Sequence, residues 1–537
     1  MRNRARYPVF LRALRDAQVG VAYVRALLRP PIERERAAAN IRARTARREE
    51  RFLEMMERTI FAIPGSAYRP LLEAAGYDFG RVRALVGQRG VEESLRQLSR
   101  DGVYVSIEEF KGSAHARRGD RVFRFDERAF RNPLAPSGLQ ASSGGTRSRG
   151  ILTTISFSNH RLGAEHLAAA LDAYGLWRRP IAVWLAVGHG ASLWSVLALA
   201  AMSNPPRRWF SQLARRVGGS AQTRAYEMAI RIAARAHGIR LPSLSVVPIG
   251  QEARILEWIA AEVNDAGCGI ITTPSSALRL ALAARRNGVK LPRVTFITIA
   301  EPLTRTKLDA IQAAGASAFS SLGFTEFGRA TYGCAHPAGP DDTHLCKDAV
   351  AVIQRRRSVD HNGTEVDALL FTALGTDSRR TLLNVETGDY ATLFTRQCGC
   401  PLESLGWTDH LMNIRSFEKL NAEGRLFFGS NLIRLVEEVL PHRFGGDPTD
   451  YQLVEREDGE GFTRLEVLVH PRLGPIDEAE ARDCVEQNLD VSFDGTAVWN
   501  AAGTVVVRRA EPMLTKAGKL MPLHHLGQDL MTAEGSR

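Results

Sequence analysis

Short apolar runs alternate with amphipathic stretches through the middle of the chain. Four runs predict buried strands: IAVWLAV at 181, LSVVPIG at 244, GIITTP at 269 and VTFITIA at 294. Stretches such as EARILEWIAAEVNDAG and SSALRLALAARRNG lie between them and have the apolar spacing of helices. Strands that alternate with helices favour a mostly parallel sheet covered by helices, so the sequence predicts an α/β fold.

The pattern differs towards both ends of the chain. Residues 49–130 predict helices with short polar breaks. Beyond about residue 406, the amphipathic stretch NLIRLVEEVLP is followed by the short alternating strands DYQLVER, TRLEVLVHP and GTVVVRRAEP. We therefore predict three parts: an N-terminal arm over 1–48, a large domain over 49–405 and a smaller α+β domain over 406–537.

Residues 181–201 carry no formal charge and have the length of a membrane span. Gly188-His189-Gly190 interrupts the centre of this stretch, and arginines flank both of its ends, so the positive-inside asymmetry of a span is missing. We expect a buried strand, a glycine turn and a buried helix, with a membrane span as the alternative. We also expect a cytoplasmic protein without stable membrane insertion, because arginines interrupt each apolar run near the start and the six cysteines do not indicate a disulfide scaffold.

The formal net charge of +12 is concentrated near the N-terminus. Residues 1–51 contain 14 arginines against 5 acidic residues, in an Ala/Arg/Leu-rich pattern that is broken at Pro30-Pro31. No aromatic interleaving and no nucleic-acid motif accompany these arginines. The pattern predicts a basic helical arm that is solvated or contacts a partner. Nucleic acid, which we do not expect as a partner, and an acidic membrane are the alternatives.

A glycine-rich stretch, SGLQASSGGTRSRG at 137–150, has the composition of an anion-binding loop. Glycines allow consecutive backbone N–H groups to point into one concavity, where hydroxyls and cations add further donors. The residues of this candidate nest are Ser142, Ser143, Gly144, Gly145 and Thr146, with Arg147 or Arg149 as the cation. The stretch lacks the Gly-Lys-Ser/Thr ending of a Walker A loop, so a flexible surface loop is the alternative.

Four further motifs follow this loop in order: AEPLT at 300, SLGFTEFG at 321, TGD at 387 and MLTKAGKL at 513. Together, the five motifs resemble those of adenylate-forming enzymes, in particular the phenylacetate-CoA ligases. GVYVSIEEFKG at 102 and LGWTDHLMNIRSFEKL at 405 are similar to segments of the acyl-protein synthetases of bacterial luciferase operons. The resemblance covers the chain outside the basic arm. It implies a large N-terminal adenylate-forming domain of helix-covered mixed sheets and a small, mobile C-terminal α+β domain.

The resemblance also implies an activity. A ligase of this kind uses ATP and Mg²⁺ to convert a carboxylic acid into an acyl- or aryl-adenylate with release of pyrophosphate. The acyl group then passes to a thiol of CoA, of a carrier-protein phosphopantetheine or of a protein cysteine. Carrier or acyl-acceptor proteins are therefore possible partners. Transfer to an amine or another nitrogen nucleophile, and a non-catalytic nucleotide-binding scaffold, are the alternatives.

Each motif position implies a role. Lys519 would bridge the substrate carboxylate and the α-phosphate, with Lys516 as a competing candidate. The other implied roles are phosphate binding by Thr325, Mg²⁺ binding by Glu326, adenine-site contacts by Glu301, Gly323 and Phe324, and a bidentate ribose contact by Asp389. His189 and Trp194 are weaker candidates for the acyl pocket. Without the ordered motifs, Glu326 reads as a solvated helix start, Asp389 as a turn residue and Lys519 as an exposed lysine.

Four of the six cysteines fall near two histidines, between residues 334 and 400. Tetrahedral zinc takes four such ligands, commonly as two close pairs. Some relatives of the phenylacetate-CoA ligases carry a similar pattern, which implies a structural zinc held by Cys334, His344, Cys398 and Cys400. Cys346 or His336 are substitute ligands. Incidental thiols, and an acyl-accepting Cys346, are the alternatives.

The chain departs from the family pattern at three places. The phosphate loop lacks the usual second Thr-Gly and the lysine, so Arg147 and Arg149 would supply the charge. Leu322 replaces the tyrosine that opens the TE motif. At the hinge, Trp407 stands in place of an arginine, and after Asp409 the usual hinge aspartate is His410. These departures bear on the implied transfer of the acyl group more than on the implied fold.

Overall fold

A computed structural model of the chain describes residues 21–112, 114–125, 127–135, 139–142, 152–185, 190–212, 221–262, 267–324, 326–358, 365–416, 419–422, 425–428, 435–488, 502–513 and 523–524. Residues 21–28 are helical. The α-helices that follow, numbered in chain order, are α1 (Arg34–Ala46), α2 (Arg48–Met55), α3 (Tyr68–Ala74), α4 (Phe79–Arg100), α5 (Ile107–Phe110), α6 (Phe157–Ala173), α7 (Gly190–Ala201), α8 (Ala221–Ala236), α9 (Ala253–Glu262), α10 (Pro274–Arg286), α11 (Arg305–Ala313), α12 (Leu440–Phe444) and α13 (Glu478–Asn488).

The β-strands are short in the first half of the chain and longer in the second. They are β1 (Ala116–Arg118), β2 (Arg121–Phe123), β3 (Leu139–Ser142), β4 (Leu152–Ile155), β5 (Ile181–Trp184), β6 (Arg208–Ser211), β7 (Leu244–Val246), β8 (Cys268–Thr272), β9 (Val294–Thr298), β10 (Ser317–Phe319), β11 (Gly323–Phe324), β12 (Gly328–Arg329), β13 (Thr331–Gly333), β14 (Thr343–Leu345), β15 (Val350–Ser358), β16 (Glu365–Ala373), β17 (Val385–Thr395), β18 (Asp409–Ser416), β19 (Lys419–Ala422), β20 (Arg425–Phe428), β21 (Tyr451–Glu457), β22 (Thr463–Val469), β23 (Val505–Arg509) and β24 (Leu523–His524).

A parallel sheet with the strand order β10-β9-β8-β5-β6-β7 forms the first layer of the large domain. The four predicted strand runs supply β5, β7, β8 and β9, and helices α9 and α10 connect strands as the apolar spacing predicted. Continuous apolar runs form these strands because both faces of a parallel sheet are covered. The predicted α/β fold class is therefore confirmed.

The uncharged stretch at 181–201 contains β5 and α7. The predicted buried strand and buried helix are therefore confirmed. Both elements are largely buried in the protein core. Within the ranges that the structure describes, no helix combines the length and the apolar character needed to cross a membrane.

An antiparallel sheet with the order β13-β14-β18-β17-β16-β15 forms a second layer. The predicted boundary at residue 406 falls before β18, yet β18 pairs with β17 and β14 of this sheet. Residues 49–130, predicted as helices, also contain the hairpin β1–β2. Charged residues dominate these two short strands, so they lack the alternation that identifies a strand from sequence.

The basic N-terminal region packs against the main hydrophobic core over its described residues. Its buried side chains are Tyr23, Val24, Leu27, Leu28, Ile32, Ala37 and Ile41. The Arg44 guanidinium of α1 donates to Glu165 of α6 at 2.7 Å and to Asp348 at 2.8 Å. The solvated helix expected here is instead a packed one, because its few apolar residues share one face and one of its arginines has buried acidic partners.

A separate mixed sheet, β23-β22-β21-β24, and the helices α12 and α13 form the predicted small α+β unit. Its β21–β22 hairpin contacts the large domain. Lys307 of α11 is completely buried and donates from Nζ to the Thr463 hydroxyl at 2.8 Å. The Arg279 guanidinium of α10 lies 4.4 Å from the centre of the Phe462 ring.

Candidate functional site

The predicted substrate segments leave the carboxyl ends of strands in the parallel sheet. The 300–304 segment follows β9, and the 321–328 segment follows β10 beside it. Trp194 belongs to α7, which is the helix after β5. Open parallel sheets bind ligands at this edge. The fold therefore brings the predicted adenine, phosphate and acyl-pocket segments to one edge of the sheet.

Glu301 is buried and faces the first turn of α10. Its Oε2 accepts hydrogen bonds from the Ser275 backbone N–H at 3.1 Å and from the Ser275 hydroxyl at 2.5 Å. Ala300, just before it, has a φ of 68°, in the left-handed region. Glu301 thus fixes the 300–304 segment against the helix that follows β8, and its contact with adenine stays a prediction.

The strands β11 and β12 form a tight hairpin that carries Gly323 and Phe324. A Cβ atom on Gly323 would lie 2.7 Å from the carbonyl oxygen of Gly328, so the two strands approach too closely for any side chain there. The Phe324 ring makes an edge contact with Phe371 of β16, with ring centres 5.0 Å apart. This contact joins the end of the parallel sheet to the antiparallel sheet.

Glu326 lies at the turn of the same hairpin, and Thr325 lies outside the described residues. The Glu326 side chain is half-buried, and it forms no ion pair or hydrogen bond with another residue that the structure describes. Its carboxylate oxygens are therefore open to a cation. A hard cation such as Mg²⁺ prefers oxygen ligands of this type, so the donor fits the predicted role.

The hairpin β3–β4 flanks the predicted phosphate loop. Ser142, the last residue of β3, pairs with Leu152, the first residue of β4. The α6 helix follows β4, and its Asn159 donates from Nδ2 to the Phe327 carbonyl at 2.5 Å. This bond connects the helix after the loop to the 321–328 segment. The loop residues that lie outside the described ranges are Ser143, Gly144, Gly145, Thr146, Arg147 and Arg149.

The Thr-Gly-Asp motif lies within β17. The Asp389 carboxylate is buried and accepts a hydrogen bond from the Thr387 hydroxyl at 2.8 Å. Gly388 has a φ of 84°, and its carbonyl oxygen accepts a hydrogen bond from the Ser416 hydroxyl at 2.9 Å. These contacts hold the motif in one conformation, while the ribose contact of Asp389 stays a prediction.

Lys519, its competitor Lys516 and the acyl-pocket candidate His189 lie outside the described residues. The chain just before the lysine segment is fixed to β21. Gln452 accepts from the Met513 backbone N–H at 2.8 Å and donates to the Met513 carbonyl at 3.0 Å. The lysine segment therefore starts from the small mixed sheet.

The predicted hinge residues begin β18. Asp409 pairs with Thr395, and its carboxylate lies 2.7 Å from Lys347 Nζ. His410 is completely buried, and its Nδ1 lies 2.6 Å from Asp342 Oδ1. A backbone rotation at these two residues would have to break the pairing of β18 with its neighbours.

Four predicted metal ligands converge between the β13–β14 hairpin and the β17–β18 connection. One ligand atom from each of Cys334, His344, Cys398 and Cys400 lies within 4.8 Å of all the others. His344 Nε2 lies 3.0 Å from Cys400 Sγ and 3.5 Å from Cys398 Sγ. Tetrahedral zinc places such ligand atoms roughly 3.5 to 3.8 Å apart, so the donors and their spacing fit this ion.

The groups around the cluster favour metal binding. His344 Nδ1 donates to the Trp407 carbonyl at 2.6 Å, which leaves the Nε2 lone pair directed at the thiols. Contact with Cys334 and then with His344 lowers the pKa of the Cys400 thiol. A thiolate is the form that binds metals. Glu403 accepts from the backbone N–H groups of Cys398 and Gly399, both at 2.7 Å, and so fixes the Cys-x-Cys turn.

The substitute ligands lie beside this group and not in it. Cys346 is completely buried, and burial raises the pKa of its thiol well above the usual range. A thiol of this kind is a poor acyl acceptor. His336 is exposed, and its Nδ1 donates to the Cys398 carbonyl at 3.1 Å. Of the described residues, Cys334 also lies in a second group, with Asp342 and His410.

A buried ionic network, which the sequence did not predict, holds the cysteine and histidine cluster in position through Trp407. Asp348 accepts from the Trp407 indole at 3.2 Å, and Trp407 holds His344 through its carbonyl. His166 Nε2 lies 2.9 Å from the same carboxylate. The signal in the sequence was Trp407, which stands where the resemblance implied an arginine.

Trp194 packs between His160 and Arg329 in the large domain. Its ring stacks on His160 with centres 5.0 Å apart, and burial lowers the pKa of His160 to about 3, so this imidazole is neutral. The Tyr23 hydroxyl forms a hydrogen bond with Nδ1 of His160. The Arg329 guanidinium lies 5.1 Å from the Trp194 ring centre. Arg329 was also missed, although it directly follows the TE motif in the sequence.

No protein-family model matches the sequence, and no curated protein matches it. Solved structures with a similar fold include 2-hydroxyisobutyryl-CoA ligase in complex with 2-HIB-AMP and CoA, at 15% identity over 91% of this chain and 90% of that chain, with a TM-score of 0.49. An o-succinylbenzoate CoA synthetase from Bacillus subtilis is similar at 12% identity over 80% of each chain, with a TM-score of 0.39. An amide bond synthetase from Marinactinospora thermotolerans is similar at 13% identity over 93% and 97%, with a TM-score of 0.39. At these scores the comparisons assign the chain to no family.

Proposed function

We propose that the protein is an ATP-dependent ligase that activates a carboxylic acid as its acyl- or aryl-adenylate and transfers the acyl group to a thiol. One observation carries the proposal. The 300–304 segment, the 321–328 hairpin and α7 meet at the carboxyl edge of the parallel sheet, and the Asn159–Phe327 bond joins them to the base of the β3–β4 hairpin. Segments that are far apart in sequence thus form one candidate site.

In the proposed reaction, a carboxylate oxygen attacks the α-phosphorus of ATP and the bond to pyrophosphate breaks. Catalysis of such a step rests on positioning and on neutralising the phosphoryl oxygens. Ser142 to Arg147 hold the phosphates with backbone N–H groups and hydroxyls, and Thr325 adds a hydroxyl. Glu326 would hold Mg²⁺, and the ion would supply charge neutralisation at the phosphates. Lys519 contacts the substrate carboxylate and the α-phosphate together, a task suited to a mobile point charge.

The nucleotide is oriented at its other end by three further contacts. Asp389 accepts hydrogen bonds from both ribose hydroxyls, a geometry that a carboxylate provides. Phe324 stacks on adenine, and Gly323 and Glu301 border the base. The edge contact between Phe324 and Phe371 is consistent with this arrangement, because it brings the hairpin to the strand beside the one that carries Asp389.

A pyrophosphate assay tests the activation step. Protein, ATP and Mg²⁺ with a panel of carboxylic acids should release pyrophosphate with at least one acid. Lys519→Ala should abolish this release and leave the fold intact, whereas Lys516→Ala should retain most of it. If no acid yields pyrophosphate, the chain is the nucleotide-binding scaffold and not the ligase. Full activity of Lys519→Ala would remove that lysine from the mechanism.

The acceptor is a thiol in this proposal, either of CoA, of a carrier-protein phosphopantetheine or of a protein cysteine. A trapping experiment compares these thiols with amines after the adenylate has formed. A thioester product supports the proposal. An amide product instead supports transfer to nitrogen, with the same activation step.

The cysteine and histidine cluster holds a structural zinc ion in this proposal. Its role is to fix the β13–β14 hairpin to the β17–β18 connection. Elemental analysis after mild purification should find about one zinc per chain, the content of a single four-ligand site. Cys398→Ser should lose the metal, whereas Cys268→Ala, which removes a buried thiol in β8, should keep it. Wild-type protein with well under one zinc per chain would rule out the site.

A further inference from the structure

Arg329 stands in β12, directly opposite Gly323 of β11. Its guanidinium points away from the turn of the hairpin, towards α7. Nη1 lies 3.4 Å from the Ser321 hydroxyl, and Nη2 lies 3.5 Å from the Ser195 hydroxyl. Both hydrogen bonds are long for contacts of a charged donor, which are usually about 2.7 to 2.9 Å. The guanidinium is therefore only weakly held by its neighbours.

The hydroxyl groups of both serines already donate hydrogen bonds to backbone carbonyls. The Ser195 hydroxyl donates to the Ala191 carbonyl and the Ser321 hydroxyl to the Thr331 carbonyl, each at 2.8 Å. They offer Arg329 only neutral oxygen atoms. Arg329 Nε is buried and has no hydrogen-bond partner among the described residues. A buried donor left without an acceptor costs about 1 to 3 kcal/mol, so an acceptor supplied from outside would be favourable here.

No carboxylate of the described residues forms an ion pair with Arg329. The titratable neighbours that face it are Tyr174 and Tyr332, and burial raises the pKa of both, so they stay neutral. His160, on the far side of Trp194, is neutral as well. Burial lowers the pKa of Arg329, but a guanidinium stays charged in proteins. Among the described residues, no carboxylate therefore compensates the positive charge at this edge of the site.

Three segments that adjoin these elements in the sequence, and that lie outside the described residues, contain no acid. Residues 143–151, which follow β3, residues 186–189, which precede α7, and Thr325 contain no Asp or Glu in the sequence. Arg44 of the large domain, by contrast, is paired with both Glu165 and Asp348. Among the described residues, Arg329 differs from Arg44 in facing only aromatic and hydroxyl groups.

We infer that Arg329 binds a second carboxylate on the acid substrate, so that the substrate class is a dicarboxylic acid. The inference rests on the proposed function, because it takes the edge of the parallel sheet as the acyl site. One carboxylate lies at the Glu326 end of the hairpin and reacts with ATP. The other pairs with Arg329, and the body of the acid lies along the Trp194 ring. A guanidinium suits this task because its fork of donors matches a carboxylate.

Matched acid pairs test the inference through their rates of pyrophosphate release. The pairs are butyrate with succinate, hexanoate with adipate, and benzoate with terephthalate. We expect kcat/KM of the wild-type protein to favour the dicarboxylate of at least one pair by about 30-fold or more, as for a buried charge pair. Arg329→Gln should lose this preference mainly through KM for the dicarboxylate. Arg329→Lys should keep part of it.

A matched control is Arg286→Gln, which removes an exposed arginine from the last turn of α10. This variant should keep the wild-type preference. Thermal unfolding of each variant separates a loss of folding from a loss of substrate recognition. If Arg329→Gln does not fold, the kcat/KM values of the wild-type protein for the matched acid pairs test the inference by themselves.

Two negative results are distinguishable. Pyrophosphate release with monocarboxylates at rates equal to or above those of their dicarboxylate partners overturns the inference and leaves the proposed function standing. The same holds if Arg329→Gln folds and retains a dicarboxylate preference. Absence of pyrophosphate with every acid overturns the proposed function, and the inference falls with it.

Discussion

Asp348 is a buried carboxylate with three donors around it. Arg44 and His166 contact one oxygen, at 2.8 Å and 2.9 Å, and the Trp407 indole contacts the other. Burial opposes its ionisation, but contacts with His166 and Arg44 still lower the pKa of Asp348. A carboxyl group with a lowered pKa in the folded state stabilises the protein above its unfolded pKa of about 3.9. This stabilisation is lost as the pH falls through the folded-state pKa.

Asp348→Asn should therefore lower the free energy of unfolding by about 3 kcal/mol at neutral pH, since Arg44 loses a buried partner. The difference between variant and wild type should shrink below about pH 4, where the carboxylate is protonated in the unfolded chain. Urea unfolding at several pH values measures both effects. Glu35→Gln, in an exposed ion pair with Arg34, is the control and should leave stability unchanged. Equal stability of Asp348→Asn and wild type at neutral pH would show that the network is not stabilising.

Among the elements, the β11–β12 hairpin has the tightest backbone approach at the candidate site. Gly323→Ala would force a Cβ atom against the Gly328 carbonyl oxygen. We expect pyrophosphate release to fall by roughly 10²-fold, because a shift of about 1 Å in catalytic groups has this effect. Gly87→Ala is the control, since a Cβ there meets nothing within 4 Å and α4 tolerates alanine. Normal activity of Gly323→Ala would mean that the hairpin does not border the reacting groups.

The β21–β22 hairpin connects the small sheet to α11. Lys307 Nζ lies 2.8 Å from the Thr463 hydroxyl and 3.8 Å from Glu457, and the Thr304 hydroxyl also donates to Glu457. Lys307→Met removes the donor to the Thr463 hydroxyl and the positive charge beside Glu457, so the contact should weaken by about 1 to 3 kcal/mol.

Limited proteolysis between the two parts of the chain measures this weakening, and cleavage of Lys307→Met should be faster than that of wild type. Arg305→Gln, at an exposed position of the same helix, should behave as wild type. Unchanged cleavage of Lys307→Met would show that the hairpin does not hold the small sheet in place.

Elements with a continuous apolar pattern were predictable from the sequence, and elements that depend on distant partners were not. Strands β5, β8 and β9 are buried throughout and largely apolar, because helices cover both faces of their sheet. Strand β18 has a mixed pattern, and its place beside β14 depends on a pairing with residues about 65 positions earlier in the chain. Local patterns do not encode such pairings.

The same distinction applies to the site. The convergence of Cys334, His344, Cys398 and Cys400 could be predicted, because the resemblance pointed to these four positions and the residue types that bind zinc are few. The roles of Asp348 and Arg329 were not, because an isolated charge in a sequence does not reveal whether its partner is present. The structure answers that question by placing three donors around Asp348 and no carboxylate of the described residues beside Arg329.

At the scale of the whole molecule, the proposed zinc ion would link two long connections of the antiparallel sheet. Chelation should lower the melting temperature of the wild-type protein by about 5 °C or more, because the free energy of metal binding adds to that of folding. The same chelator should have little effect on Cys398→Ser. A melting temperature that does not respond to chelation, in protein shown to hold zinc beforehand, would contradict a structural role for the ion.

In the proposed function, the carboxyl edge of the parallel sheet forms an acid adenylate from ATP. The most direct test is exchange of labelled pyrophosphate into ATP, since exchange needs reversible formation of the adenylate and no acyl acceptor. With Mg²⁺ and a cognate acid present, we predict exchange by the wild-type protein, no exchange without the acid, and none by Lys519→Ala. Absence of exchange across mono- and dicarboxylic acids, in protein that is folded and binds ATP, would contradict the account.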